Sequence, residues 1–294
     1  MSKFKFADEL SEYVSKTLGN QYTVMVRYCG EDKEAEMLIR NKKMSTAFGY
    51  GLEILYETYV GGIRIEAIGN DLMMQHIENE LRDTPYCETE YWESVKQNIC
   101  LCLVSTENSE KLLETVPHRN FLDLSIIYYV PVNIPNVTKG HFTITYEVME
   151  HLGMTEEMLY EFAYSNTQKV RPSKIMSMEQ YLNSVLTDCG KEDELKTDDF
   201  LYILTNSVHN NGAGIILYKS ILKEFAQKLK AEKLFLMPSS VHEWVVTPFT
   251  DLVDIDYFNE LVKEQNAKGI ISDWEVLSSH CYIFDTKTDT ITVA

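Results

Sequence analysis

The run Pro238-Ser239-Ser240-Val241-His242-Glu243 sets two hydroxyls, an imidazole and a carboxylate side by side, the residue types of a nucleophilic acyl-transfer site. The spacing works against that chemistry. A strand over 241–246 puts Ser240 and His242 on one face and Glu243 on the other, so Glu243 cannot orient the imidazole. No Gly-x-Ser-x-Gly elbow occurs. The favoured reading is a Pro-Ser-Ser turn between strands, its hydroxyls satisfying free backbone amides. A hydrolase using Ser239 or Ser240 with His242, with His118 or His280 brought in by folding, is the alternative, and Glu243 is the remaining candidate residue.

Metal ligation needs His and Cys at short, regular spacing. His118, His141, His151, His209, His242 and His280 never form His-x-His or His-Glu-x-x-His, and Cys100-x-Cys102 finds no Cys-x-x-Cys to complete a tetrahedral set. No metal and no cofactor is expected. Cys100 and Cys102 read as buried apolar thiols on one strand face, and His118 as a loop or helix-start residue. The stretch 206–214 is rich in Asn and Gly and precedes a helix, so Asn211, Gly212 and Gly214 could cradle a phosphate. It lacks the Lys-Ser ending of a P-loop and the third glycine of a dinucleotide fingerprint. A tight turn that lets the following helix pack closely is favoured.

Elements must position these groups, and hydrophobic periodicity indicates them. Phe6, Leu10, Tyr13, Val14 and Leu18 recur at helical spacing before Gly19, which predicts a first amphipathic helix. Strands over 22–28 and 36–39 read as a hairpin. Helical spacing then runs through Leu52, Ile54, Leu55 and Tyr59, breaks near Gly61-Gly62, and resumes with Ile65, Ile68, Leu72, His76, Ile77 and Leu81. Strands are predicted over 98–105, 123–132 and 140–145, with a short helix over 108–114. Thr155 caps a helix with Glu156 and Glu157 in its first turn, and Ser177 with Gln180 forms a capping-box pattern. Beyond 199 come strands over 200–205, 234–237 and 241–246, helices over 215–229 and from Asp254 to Gly269, and a closing hairpin over 281–285 and 290–293. This is an α+β pattern of mixed or antiparallel sheets with packed helices. Residues 187–199 hold six acidic, two basic and one leucine side chain, and read as an exposed connector. The expected division is an N-terminal lobe over 1–186, that connector, and a C-terminal lobe over 200–294.

Composition narrows the function classes. With 294 residues, 45 % of them hydrophobic, the chain can bury an ordinary core. Its net charge of −18 opposes sequence-independent nucleic-acid binding, which needs a surplus of Lys and Arg. The N-terminus has no apolar signal region, and no run approaches the ~18 apolar residues of a spanning helix, so no membrane association is expected. Six scattered cysteines suit a reduced cytoplasm. The expected function is a non-enzymatic interaction or regulatory module with a protein partner. An acidic decoy for a basic or nucleic-acid-binding partner is a further alternative.

Several motifs, in order and spacing, resemble one family. They are Val116-Pro117-His118-Arg119-Asn120-Phe121-Leu122-Asp123-Leu124, His151-Leu152-Gly153-Met154-Thr155-Glu156-Glu157-Met158-Leu159-Tyr160, Ser177-Met178-Glu179-Gln180 and Leu204-Thr205-Asn206. Met237-Pro238-Ser239-Ser240-Val241-His242-Glu243 and the tail Leu277-Ser278-Ser279-His280-Cys281-Tyr282-Ile283-Phe284-Asp285 complete the set. Together they resemble the bacterial domain of unknown function 5688. The resemblance implies an intact single-purpose fold in a family often carried on mobile elements. It implies no catalytic residues.

Overall fold

The computed structural model describes residues 2–29, 34–44, 47–84, 89–131, 141–188, 200–269 and 271–294. In chain order its elements are α1 (Lys3–Leu18), β1 (Tyr22–Cys29), β2 (Glu34–Asn41), β3 (Phe48–Gly51), α2 (Glu53–Val60), α3 (Ile65–Asp83) and α4 (Thr89–Lys96). Next are β4 (Cys100–Ser105), α5 (Glu110–Leu113), β5 (His118–Phe121), β6 (Leu124–Pro131), β7 (His141–Thr143), α6 (Tyr146–His151), α7 (Glu156–Val170), β8 (Ser173–Ser177) and α8 (Met178–Asp188). The chain closes with β9 (Tyr202–Asn206), α9 (Lys219–Lys228), β10 (Lys233–Ser240), β11 (Glu243–Pro248), α10 (Ile255–Ala267), β12 (Tyr282–Asp285) and β13 (Thr290–Val293).

These elements form two compact units. One is Met1–Ile99 with Val130–Thr155, the other Cys100–Tyr129 with Glu156–Ala294. The division cuts through the span expected as a single N-terminal lobe. Strands β8 and β9, on either side of the expected connector, pair antiparallel from Ser173↔Asn206 to Ser177↔Tyr202, so both belong to one sheet. Residues 189–199 of that connector lie outside the described residues.

In the first unit, α1 turns Phe6, Ala7, Leu10, Val14 and Leu18 inward. Each large side chain among them contributes about 1.5–3 kcal/mol on burial. Ser2 caps the helix start by accepting from the Lys5 amide, and Gly19 closes it at φ 74°, a conformation that suits glycine. Strands β1, β2 and β3 form an antiparallel sheet in that order, with Tyr22 opposite Asn41 and Met37 opposite Tyr50. Ala35, Met37 and Ile39 alternate along β2 and are buried with the α1 stripe and with Ile68, Leu72 and Met73 of α3.

In the second unit, six antiparallel strands run β13-β12-β10-β11-β9-β8, and β4 and β5 flank β6 in a further antiparallel sheet. Trp244, Tyr128, Tyr282, Phe235 and Phe284 are among its fully buried side chains. The capping box expected at Ser177 is formed: Gln180 N donates to Ser177 Oγ and Ser177 N to Gln180 Oε1. The expected Pro-Ser-Ser turn is instead strand. β10 continues to Ser240 with an irregularity in register between Pro238 and Ser240, and Val241-His242 makes the connection to β11. A bulge tolerates a proline that has no amide proton to give. His118, expected in a loop or helix start, opens β5 opposite Ile127.

Candidate functional site

The second unit holds the residues that sequence reading nominated. His242 Nδ1 accepts from the Asn211 amide at 3.0 Å, so the ring proton sits on Nε2, which lies 3.1 Å from Glu275 Oε1. Both ring nitrogens are therefore engaged, and neither is free to take a serine proton. Ser240 Oγ accepts from the backbone amide of His242. Ser239 is exposed on the other side of the bulge. Glu243 accepts from the Tyr181 hydroxyl at 3.1 Å, and the carboxylate that meets His242 is Glu275. Burial pushes the Glu275 carboxyl up, but the hydrogen bonds from His242 and Ser272 prevail and hold it below its ordinary range.

The same neighbourhood contains the glycine-rich turn. Asn211 adopts a left-handed φ of 54°, which aims its amide at His242. A Cβ on Gly212 would lie 2.5 Å from the His242 carbonyl oxygen and closer still to Thr205 Oγ1, and one on Gly214 would lie 3.1 Å from Leu101 Cδ1. The Ala213 amide donates to Val241 O. The turn's glycines are thus placed where neighbouring backbone approaches closely.

His118 Nδ1 lies 3.0 Å from the Val116 carbonyl oxygen, to which it donates. His280 Nδ1 lies 3.5 Å from Asp123 Oδ2, which already accepts from Ser278 Oγ at 2.9 Å, while Tyr282 donates to Oδ1 at 2.6 Å. Here the serine proton goes to the carboxylate, whereas nucleophile activation needs the imidazole between them. Ser239 lines a cavity of about 400 Å³ with Met237, Val245, Phe258 and Val262. Among the described residues that cavity has no ionisable side chain in its wall.

The first unit contains a different arrangement. Helix α3 carries His76, Asn79 and Glu80 at i, i+3 and i+4, which places them on neighbouring positions of one helix face. Ile68, Leu72, Met73 and Leu81 bury that helix and draw in His76 at 0 % and Glu80 at 1 % exposure. Asn79 Nδ2 donates to Tyr50 Oη at 3.3 Å, and Tyr50 Oη lies 2.8 Å from His76 Nδ1. The tautomer of the ring sets which partner of the Tyr50–His76 contact donates. His76 Nε2 faces Glu80 Oε1 at 3.0 Å. The two atoms are out of line, and neither has a well-formed hydrogen bond among the described residues. Tyr22 donates to the other carboxylate oxygen, Oε2, at 3.1 Å.

Burial pushes the Tyr22 and Tyr91 phenols far up, and the charge of Glu80 adds to the effect. Burial pushes Tyr50 up to about 12, against the hydrogen bond from Asn79. All three keep their protons at neutral pH and serve as donors. Beside Glu80 opens a cavity of about 200 Å³, with Tyr22, Asn41, Tyr91, Ser94 and Asn98 in its polar wall. Sequence reading placed His76 on an apolar helical stripe and passed over Glu80. The available signal was a histidine followed at i+4 by a glutamate inside that stripe, where a charge is out of place. No group of three or more His, Cys, Asp or Glu side chains placed to share a metal occurs among the described residues.

The molecule is thus an α+β protein of antiparallel sheets and packed helices; hydrogen bonds engage both ring nitrogens of His242, whereas His76 Nε2 and Glu80 Oε1 have no well-formed one among the described residues. The chain belongs to the family of unknown function DUF5688, whose model matches residues 3–286. The match takes in the first hundred residues, which the motifs beyond residue 116 do not reach. No curated protein and no solved structure matches the chain. Among the described residues no helix is long and apolar enough to cross a membrane.

Proposed function

We propose that the protein is a non-catalytic binding and regulatory module whose receptor site is the cavity beside Glu80. One observation carries this reading: a fully buried imidazole and carboxylate face each other without well-formed hydrogen bonds among the described residues, and the carboxylate lines the wall of a cavity. A buried carboxylate is costly to desolvate, and a ligand of opposite charge in the adjoining cavity offsets part of that cost. His242 and Glu275 give the contrast, since hydrogen bonds there occupy both ring nitrogens and leave no free base for Ser239 or Ser240. The geometry therefore favours the binding reading over a hydrolase.

In this reading the cavity ligand modulates contact with a protein partner. The net charge of −18 opposes a nucleic-acid partner. The buried thiols of Cys100, Cys102 and Cys281 fit a reducing cytoplasm. The test is ligand-observed NMR of small polar metabolites against the wild-type chain and Ser94→Trp, which fills the cavity from its wall. Ligands that bind the wild type and are lost in the folded variant support the reading. Ligands that persist in the variant, or a screen without ligands for the wild type, overturn it.

A further inference from the structure

Resting on the cavity as a receptor site, we infer that its ligand is a small organic cation, a primary alkylammonium of a few carbons. Among the described residues the charge in the wall comes from one group. Glu80 is the ionisable carboxylate of that lining, no described Lys or Arg contributes to it, and Tyr22 and Tyr91 are phenols that burial keeps protonated.

The remaining wall suits the same class. Gln21 and Ser94 carry side-chain oxygens that can accept from an ammonium, which has three donors and no acceptor. Tyr22 and Tyr91 are in the wall, and the faces of aromatic rings attract a cation. Leu18, Ile77, Leu81 and Val95 supply an apolar side against which a short alkyl chain loses water. The volume of about 200 Å³ limits the guest to a few heavy atoms, below the usual range for drug-sized ligands. A single carboxylate is one charge for one charge, which matches a monovalent organic cation better than a divalent ion that collects six or more oxygens.

The experiment is isothermal titration of the full chain with n-propylammonium chloride, propionamide and sodium propionate, three probes of similar size that differ in charge. Saturable binding of propylammonium is expected, weaker by about tenfold or more for propionamide and absent for propionate. Glu80→Gln should lower propylammonium affinity by about tenfold or more. Ser94→Trp, which leaves the carboxylate in place, should abolish it, and circular dichroism checks that both variants are folded. Propionamide or propionate binding as tightly as propylammonium, and lost in Ser94→Trp, would overturn the cation class while leaving the receptor reading intact. Propylammonium binding indifferent to both variants overturns the placement. No saturable binding of any probe overturns the inference, and the metabolite screen then decides the receptor reading by itself.

Discussion

Replacing Tyr22 by Phe removes one hydroxyl, and its cost should depend on whether residue 80 is charged. Tyr22 Oη donates to Glu80 Oε2 at 3.1 Å, and the carboxylate is 1 % exposed. A hydrogen bond to a buried charge contributes about 1.5–3 kcal/mol, whereas one to a neutral acceptor contributes about 0.5–1.5 kcal/mol. Tyr22→Phe should therefore cost about 2–3 kcal/mol in the wild type and about 1 kcal/mol in the Glu80→Gln background. The four-protein cycle then yields a coupling of about 1–2 kcal/mol. Tyr13→Phe is the control, because its hydroxyl donates from α1 to the neutral Asn70 amide oxygen of the same helix α3 at 2.8 Å. It should cost about 1 kcal/mol in either background. Equilibrium urea unfolding followed by far-ultraviolet circular dichroism reads these differences, provided the slope against urea is the same for all variants. If Tyr22→Phe costs the same, within about 0.5 kcal/mol, with Glu or Gln at position 80, the picture of a buried charged acceptor is refuted.

Three further outcomes follow from the second unit. Gly212→Ala should destabilise by about 1–3 kcal/mol in urea unfolding, because the Cβ meets the His242 carbonyl and Thr205 Oγ1, while Gly51→Ala, facing open space, should not; equal effects would contradict the packing role. The Glu275 carboxyl is held below its unfolded value of 4.5, so its contribution to stability is present above that pH and is lost as pH falls through the folded value. Glu275→Gln should accordingly flatten the acid limb of a stability–pH curve, and an unchanged limb would show that the His242 pair does not set it. Burial pushes the Cys100 thiol up to about 11 and those of Cys102 and Cys281 to about 12. Mass-mapped labelling at pH 8 should leave these three unmodified until denaturant is added, and native-state labelling would contradict their burial.

Local signals in the sequence were enough for elements whose ends carry their own hydrogen bonds. Ser177 with Gln180, Asp254 before α10 and Gly19 after α1 mark boundaries through contacts within a few residues, and the structure forms each of them. Strand β8 was not legible, because Ser-Lys-Ile-Met-Ser has two apolar residues and becomes a strand by pairing with β9, beyond the acidic stretch. The same limit applies to the site. His76 and Glu80 are four residues apart and open to inspection, but Tyr22, Tyr50 and Tyr91 reach them through the β1–β2–β3 register and the packing of α3 and α4. The Ser240–His242 spacing was visible, whereas Glu275, which saturates that imidazole, arrives from 33 residues away.

The receptor role of the Glu80 cavity is tested most directly by titrating the full chain, labelled with carbon-13 in its tyrosine rings, with n-propylammonium and following each ring by NMR. A saturable shift concentrated on Tyr22 and Tyr91, with exposed Tyr257 and Tyr146 unmoved, is the predicted result. Shifts spread evenly over all tyrosines, or unmoved resonances for Tyr22 and Tyr91 at saturating probe, would contradict it.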